Sequence, residues 1–251
     1  MPIDTLKSRP VAFVSGASRG IGAGIARALF QNGYDLILTC EKNKDKLEAL
    51  AKELLSTDST YRTILTFTGN MGDAQFVKKA AEEALAHFNR IDVVVNNAGI
   101  AHIGLITDMS VEQWQHMLDV NLSSVFYTTK AFLPTMIHNH AGNIINISSM
   151  WGTVGASCEV AYSATKGAIN SYTKALAKEL APSHISVNAI ACGVIDTDMN
   201  ACFSDDEMQA LIDEIPAGRL GTPADVGNAV VHLIQMDYVT GQIIGLDGGY
   251  I

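Results

Sequence analysis

Short runs of apolar and β-branched residues recur at 11–15, 34–39, 62–67, 91–96, 143–148, 185–190 and 242–246, and each reads as a strand. Between them lie segments at 20–32, 43–56, 73–88, 110–138, 160–181, 205–213 and 223–236 in which apolar side chains return at the helical period. Such alternation predicts parallel strands, because a chain that returns parallel needs a crossover of helix length, and the crossovers are right-handed. Several runs, Val93-Val94-Val95 among them, are apolar without alternating, so both faces of those strands must be covered. The expectation is an α/β fold, a doubly wound sheet of seven mainly parallel strands with helices on both faces.

No Pro/Gly/Ser-rich linker, low-complexity tract or repeat divides the chain, so residues 1–251 are read as a single domain. The least regular stretch, 192–222, carries Gly193, Pro216, Gly218 and Gly221 around an acidic helix with Asp205, Asp206 and Glu207. It is either a flap or a static surface excursion.

Composition narrows the function classes. The 251 residues are 48% hydrophobic and 17% charged, which excludes disordered and fibrous classes. A net charge of -9 with singly scattered Lys and Arg offers no footprint for nucleic acid or an anionic membrane. Cys40, Cys158, Cys192 and Cys202 match neither CxxC nor a zinc spacing and are read as reduced thiols, and the seven histidines show no metal-ligand pattern. Residues 1–10 lack the apolar run of a secretory signal, and no stretch reaches the ~20 apolar residues of a membrane span, so the expected location is cytoplasmic.

The first strand runs into Ser15-Gly16-Ala17-Ser18-Arg19-Gly20-Ile21-Gly22, followed by a helix carrying Ile25, Ala26 and Leu29. Glycines in such a strand-to-helix turn let the backbone approach closely, and the free amides of the helix start then face a pyrophosphate. This predicts a Rossmann-type dinucleotide site. Further on, Tyr162 and Lys166 are four apart on a predicted helix and therefore share a face. Ser149 lies 13 residues before Tyr162, at the carboxyl end of a strand, the edge where doubly wound sheets bind ligands.

A carbonyl receiving hydride develops negative charge on oxygen and needs a proton donor and a polarising donor. Tyr162 suits the first role and Ser149 the second. Bringing a phenol from its ordinary pKa of about 10 to neutrality takes about 4 kcal/mol. A cation about 4 Å away at an effective dielectric near 20 supplies about that much, so Lys166 is expected to lower the Tyr162 pKa, with burial of the phenolate opposing it and the positive charge of an oxidised nicotinamide assisting.

The order of Gly-x3-Gly-x-Gly at 16–22, Asn96-Asn97-Ala98-Gly99, Asn121-Leu-Ser-Ser-Val-Phe, Ser149, Tyr162-x3-Lys166, Asp196-Thr197-Asp198-Met199 and Asp247-Gly248-Gly249 resembles the short-chain dehydrogenase/reductase family over essentially the whole chain. The resemblance implies an NAD(P)-dependent oxidoreductase acting on CH-OH, with Asn121, Ser149, Tyr162 and Lys166 catalytic. It implies that Lys166 also holds the nicotinamide ribose and that Asn121 supports a proton-returning water chain. It places Gly16, Ser18, Arg19, Gly20, Ile21, Gly22, Glu41, Asn70, Met71, Asn97, Ala98, Gly99, Tyr162, Lys166, Gly193, Ile195 and Thr197 around the cofactor, although Asn97 also suits a strand-end cap. Cys192 departs from the family by standing where a proline is usual, and is read as near the nicotinamide, either modifiable or a buried inert thiol.

NADP and NAD both stay open. The family's NAD-type Asp aligns with Cys40 and its NADP-type Arg with Glu41, whereas Arg19, helped by Lys42, favours NADP. Asn-Leu-Ser-Ser-Val-Phe at 121–126 and Ile-Pro-Ala-Gly-Arg-Leu-Gly at 215–221 are similar to 3-oxoacyl carrier-protein reductases, which implies a thioester substrate. His138-Asn-His140 and Pro182-Ser-His184, where those proteins carry basic docking residues, argue against an acidic carrier and keep a free ketone, a sugar or an acyl-coenzyme A open. Substrate contacts are expected from Ser149, Trp151 and Tyr162, joined by Met150, Thr153, Val154, Ser157, Met199 and Phe203. The resemblance also implies a homotetramer built through the helices after strands four and five.

Overall fold

The computed structural model describes residues 9–58, 61–198 and 204–251. Among these, seven strands form one sheet: β1 (Val11–Val14), β2 (Asp35–Cys40), β3 (Ile64–Thr68), β4 (Val93–Asn96), β5 (Gly142–Ser149), β6 (Ile185–Cys192) and β7 (Ile243–Leu246). Their order is β3-β2-β1-β4-β5-β6-β7, and every neighbouring pair is parallel. The chain moves outward from β1 to β3, then returns to start the other half at β4. The crevice beyond the carboxyl ends of β1 and β4 is therefore the topological switch point at which such sheets bind ligands.

The helices α1 (Gly20–Gln31), α2 (Lys44–Ser56), α3 (Ala74–Phe88), α4 (Val111–Leu118), α5 (Ser124–Asn139), α6 (Trp151–Val154), α7 (Val160–Leu180), α8 (Asp205–Glu214) and α9 (Pro223–Ile234) cover both faces. One core layer gathers Ile25, Leu29, Leu47, Val226 and Val230 against Val14 and Leu38; the other gathers Val77, Phe132, Met136 and Leu180 against Phe13 and Val94. β4 is buried throughout, as its unbroken apolar run requires. Buried polar side chains inside the sheet are paired: Asn96 donates to Asn146 at 2.9 Å, and Asn146 donates to Thr173 at 2.9 Å.

Local chemistry starts several helices. Ser110, Ser204 and Thr222 each form a capping box, with Gln113, Glu207 and Asp225 respectively, and Pro223 opens α9 where its missing N–H is harmless. The structure corrects the expected continuous helix over 110–138. Between α4 and α5 a π-helical turn, Asp119–Ser123, interrupts it. Ser124 donates to the Val120 carbonyl at 2.6 Å and Thr128 to that of Ser124 at 2.8 Å, hydroxyl bonds of the kind that loosen a helical ladder. The period-based reading also lacks α6, whose four residues are too few to show a helical repeat.

Candidate active site

The glycine turn is held from both sides of the switch point. The Ala17 amide donates to the Thr39 carbonyl at 2.8 Å, while the Ser15 hydroxyl accepts the amides of Asn97 at 3.0 Å and Ala98 at 2.9 Å. The Asn97 side chain donates to the carbonyls of Ser15 at 2.8 Å and Gly16 at 3.2 Å, so its amide is spent on shaping the turn. Gly16 has φ +66, and a Cβ on Gly22 would fall 2.2 Å from the Gly16 carbonyl oxygen, so a side chain at 22 has no room. The turn is thus a backbone cradle at the start of α1, which fits a pyrophosphate.

The other expected cofactor residues surround this cradle. Ser18 and Ile21 are partly exposed in the turn, and Arg19 is exposed beside it. A Cβ on Gly20 would lie 3.2 Å from the Thr197 methyl, which puts Thr197 over the helix start. Ile195 is buried and bridges to Gly221, and the Gly193 amide donates to the Leu246 carbonyl at 2.9 Å. Asn70 accepts the Gly72 amide at 2.8 Å, and Met71 is buried with its sulfur 3.3 Å from the Thr39 hydroxyl. At the end of β2, Cys40 is buried and Glu41 exposed.

The chemical residues converge one strand further along. Ser149 ends β5, where it pairs across the ladder with Cys192 at the end of β6. Its hydroxyl accepts the Trp151 amide at 3.2 Å and hydrogen-bonds the Tyr162 phenol. Tyr162 and Lys166 lie on one face of α7, with the ammonium 5.5 Å from the phenol ring centroid. Lys166 is only 4% exposed and donates to the Ile147 carbonyl at 2.8 Å. Asn121, fully buried in the π turn, is fastened to Ile100 and Thr165: it accepts the Ile100 amide at 2.8 Å, and donates to the Ile100 carbonyl at 2.9 Å and to the Thr165 hydroxyl at 3.2 Å. Gly99 joins the groups, for a Cβ there would lie 3.4 Å from Asn121 Oδ1 and 3.7 Å from Lys166 Nζ.

The electrostatics correct one expectation. Burial pushes the Tyr162 phenol above its ordinary value, against the hydrogen bond from Ser149, and burial pushes Lys166 down to about 8. The protein groups around the phenol therefore do not lower it. Desolvation of a phenolate exceeds what a cation returns when that cation is itself weakened by burial. Burial likewise pushes Cys192 up to about 12, which keeps it a thiol and fits an inert sulfur beside the site.

Sequence reasoning missed supporting groups. Thr165, between Tyr162 and Lys166, takes the Asn121 hydrogen bond and donates to the Tyr162 carbonyl at 2.8 Å. Ser148 donates to Asn170 at 2.7 Å, and Asn170 donates to the Gly152 carbonyl at 3.1 Å, tying β5, α6 and α7 together. Asn170 lies four residues after Lys166, so the helical repeat was the available signal. Glu159, half-buried at the start of α7, is hydrogen-bonded by Trp151, and its carboxyl is pushed up by burial. Among the expected substrate contacts, Trp151 is partly exposed with its ring 6.2 Å from that of Tyr250, Thr153, Val154 and Ser157 are exposed, and Met150 is buried. Met199, Phe203 and Cys202 lie outside the described residues.

The sequence profile described as short chain dehydrogenase matches residues 10–208. The chain is a member of the short-chain dehydrogenase family. Within that family it is 40% identical to an uncharacterized oxidoreductase, YmfI, of Bacillus subtilis, over 95% of this chain and 98% of the relative. It is 37% identical to the 3-oxoacyl-[acyl-carrier-protein] reductase FabG of Staphylococcus aureus, over 97% and 99% of the two chains. Among solved structures it superposes on YwfH, an NADPH-dependent reductase involved in bacilysin biosynthesis, with a TM-score of 0.91 and 25% identity, covering 97% of this chain and 99% of that one. The chain is therefore a short-chain dehydrogenase/reductase enzyme, and its parallel sheet is the family's sheet.

Proposed function

We propose that this short-chain dehydrogenase uses NADP, rather than NAD, to interconvert a ketone and a secondary alcohol, and that its substrate is a 3-oxoacyl thioester. The observation that carries the reaction is the convergence of Ser149, Tyr162, Lys166 and Asn121 beyond the ends of β4 and β5. In this reading the backbone of the glycine turn holds the pyrophosphate, Thr197 closes over it, and Lys166 reaches the ribose. The nicotinamide, when bound, supplies or accepts the hydride. Ser149 donates to the substrate oxygen and Tyr162 gives that oxygen its proton, which a phenol held protonated by burial is ready to do. Asn121, Thr165 and the Ile100 backbone keep the π turn against α7, so the lysine and tyrosine stay in register.

Support for the thioester comes from the 3-oxoacyl reductase relative and from an apolar rim. The Gly104 amide donates to the Cys158 carbonyl at 2.8 Å, stitching the loop after β4 to the turn before α7. Ile103, Leu105 and Ile106 on the loop, with Val154 and Val160 on either side of the turn, are exposed, and exposed apolar side chains of this density suit an acyl chain. A second reading, reduction of a free ketone, a sugar or an acyl-coenzyme A, is favoured by His138, His140 and His184, which stand at the ends of α5 and α7 where an acidic carrier would need firm positive charge. Following its family, the chain is taken as a homotetramer.

The test is NADPH and NADH oxidation with acetoacetyl-coenzyme A beside simple ketones, sugars and diketones. Turnover of the thioester with NADPH supports the reading; silence there with turnover of a free ketone replaces the substrate, and more than tenfold preference for NADH replaces the cofactor. Tyr162→Phe is expected to lower kcat by about 10²–10⁴-fold while leaving nucleotide binding in place. Unchanged turnover in that variant would remove Tyr162 as the proton donor, and no turnover of any ketone by the wild type would favour a silent cofactor-binding regulator.

A further inference from the structure

Three segments remote in sequence bring one charge each to the same point beside the glycine turn. Arg19, just before α1, places a guanidinium nitrogen 3.0 Å from Asp198 Oδ2. Lys46, in the first turn of α2, places its ammonium 3.8 Å from that same oxygen. Asp198 itself follows Thr197, whose methyl packs over Gly20. The nearby Lys44 is directed elsewhere, 3.5 Å from Glu48. One carboxylate oxygen thus bridges two cations at the border between the phosphate cradle and the end of β2, which is the arrangement an external anion would find.

Arg19 is the residue by which the sequence already leans to NADP; we propose that Lys46 joins it at the 2′-phosphate and that Asp198 is the internal competitor of that phosphate, a specificity-determining residue that holds both cations and must release them. This rests on the reading of the glycine turn as a dinucleotide site. A phosphomonoester carries about −1.5 to −2 charges at neutral pH, so it outbids one carboxylate for two cations, yet it is repelled by that carboxylate while doing so. Nucleotides without the 2′-phosphate leave the Arg19–Asp198–Lys46 bridge intact. The arrangement also resolves the contradictory signals at the end of β2. Glu41 is exposed at the end of β2, and the second cation beside Asp198 is Lys46.

All three side chains are more than half exposed, so each charge shifts affinity modestly and in a salt-dependent way. The measurement is calorimetric affinity of the full chain for 2′,5′-ADP and for 5′-AMP, which differ only in the 2′-phosphate. Asp198→Asn is expected to tighten 2′,5′-ADP about two- to fivefold and Lys46→Met to weaken it by about as much, with 5′-AMP unchanged in both and the differences fading at high salt. Asp206→Asn on α8, which changes net charge equally, is expected to leave the ratio of the two affinities where it was. An unchanged ratio in Asp198→Asn, or a ratio that moves as much in Asp206→Asn, overturns the proposal while leaving NADP use intact. A wild type with no preference for 2′,5′-ADP that acquires one in Asp198→Asn overturns NADP use while the role of Asp198 stands. Binding of neither nucleotide by any form overturns both.

Discussion

Lys166 shows how a single side chain couples packing to chemistry. It is buried beneath the site with the Ile147 carbonyl as partner, and burial brings its pKa to about 8 from an ordinary 10.5. Below pH 8 the ammonium keeps its proton and the Tyr162 phenol, pushed upward, keeps its own, so both groups stand ready for carbonyl reduction. As pH rises through 8 the lysine discharges first and its support for a developing phenolate is lost. The kcat/KM for ketone reduction is therefore expected to fall with a midpoint near 8; a profile flat to pH 10 would show that the lysine charge is not needed. The stability sign follows from the same shift. Between pH 8 and 10.5 the folded chain binds fewer protons than the unfolded one, so the folding cost of this lysine is full below 8 and fades as pH climbs through that window.

At the level of elements, the site is built by turns and interruptions in otherwise regular structure. The seven strands and the helix α7 were legible in the sequence, although β6 runs two residues past its expected end to Cys192, and Tyr162 and Lys166 were placed on one face by their spacing. The π turn at Asn121 was not, because Ser124 and Thr128 act through hydrogen bonds to carbonyls, which leave the apolar period of 110–138 undisturbed. The glycine turn depends on a contact as much as on its glycines, since Gly22 packs against the Gly16 carbonyl. Gly22→Ala is expected to push α1 away from the turn, costing about 1–3 kcal/mol in stability and weakening 5′-AMP binding more than tenfold. Thermal melting and calorimetry would check both, and an alanine variant that binds normally would mean that the cradle is not where the nucleotide sits.

For the whole molecule, the parallel order places every proposed functional residue at one edge. β1 and β4 leave the switch-point crevice, β5 and β6 bring Ser149 opposite Cys192, and α7 supplies the tyrosine and lysine. Among the described residues no helix is long and apolar enough to cross a membrane. Phe126 and Ile137 on α5 are exposed, and the proposed homotetramer would cover them. Light scattering is expected to give four times the monomer mass, and Phe126→Glu, which puts a charge into that face, to shift the population toward smaller species. A monomer in the wild type would leave these apolar residues to another role.

The sequence by itself determined the alternation of strands and helices, the glycine turn, the spacing of Ser149, Tyr162 and Lys166, and with them the family. These are local or ordered along the chain, so period and motif report them. Tertiary structure alone decided which charges meet. Arg19, Lys46 and Asp198 are far apart in sequence and carry no common pattern, yet the glycine turn, the first turn of α2 and the segment after β6 bring both cations to one Asp198 oxygen. It also decided the protonation of the site, because the pKa of Tyr162 and Lys166 follows from how deeply the neighbouring elements bury them, a quantity that no spacing of residues encodes.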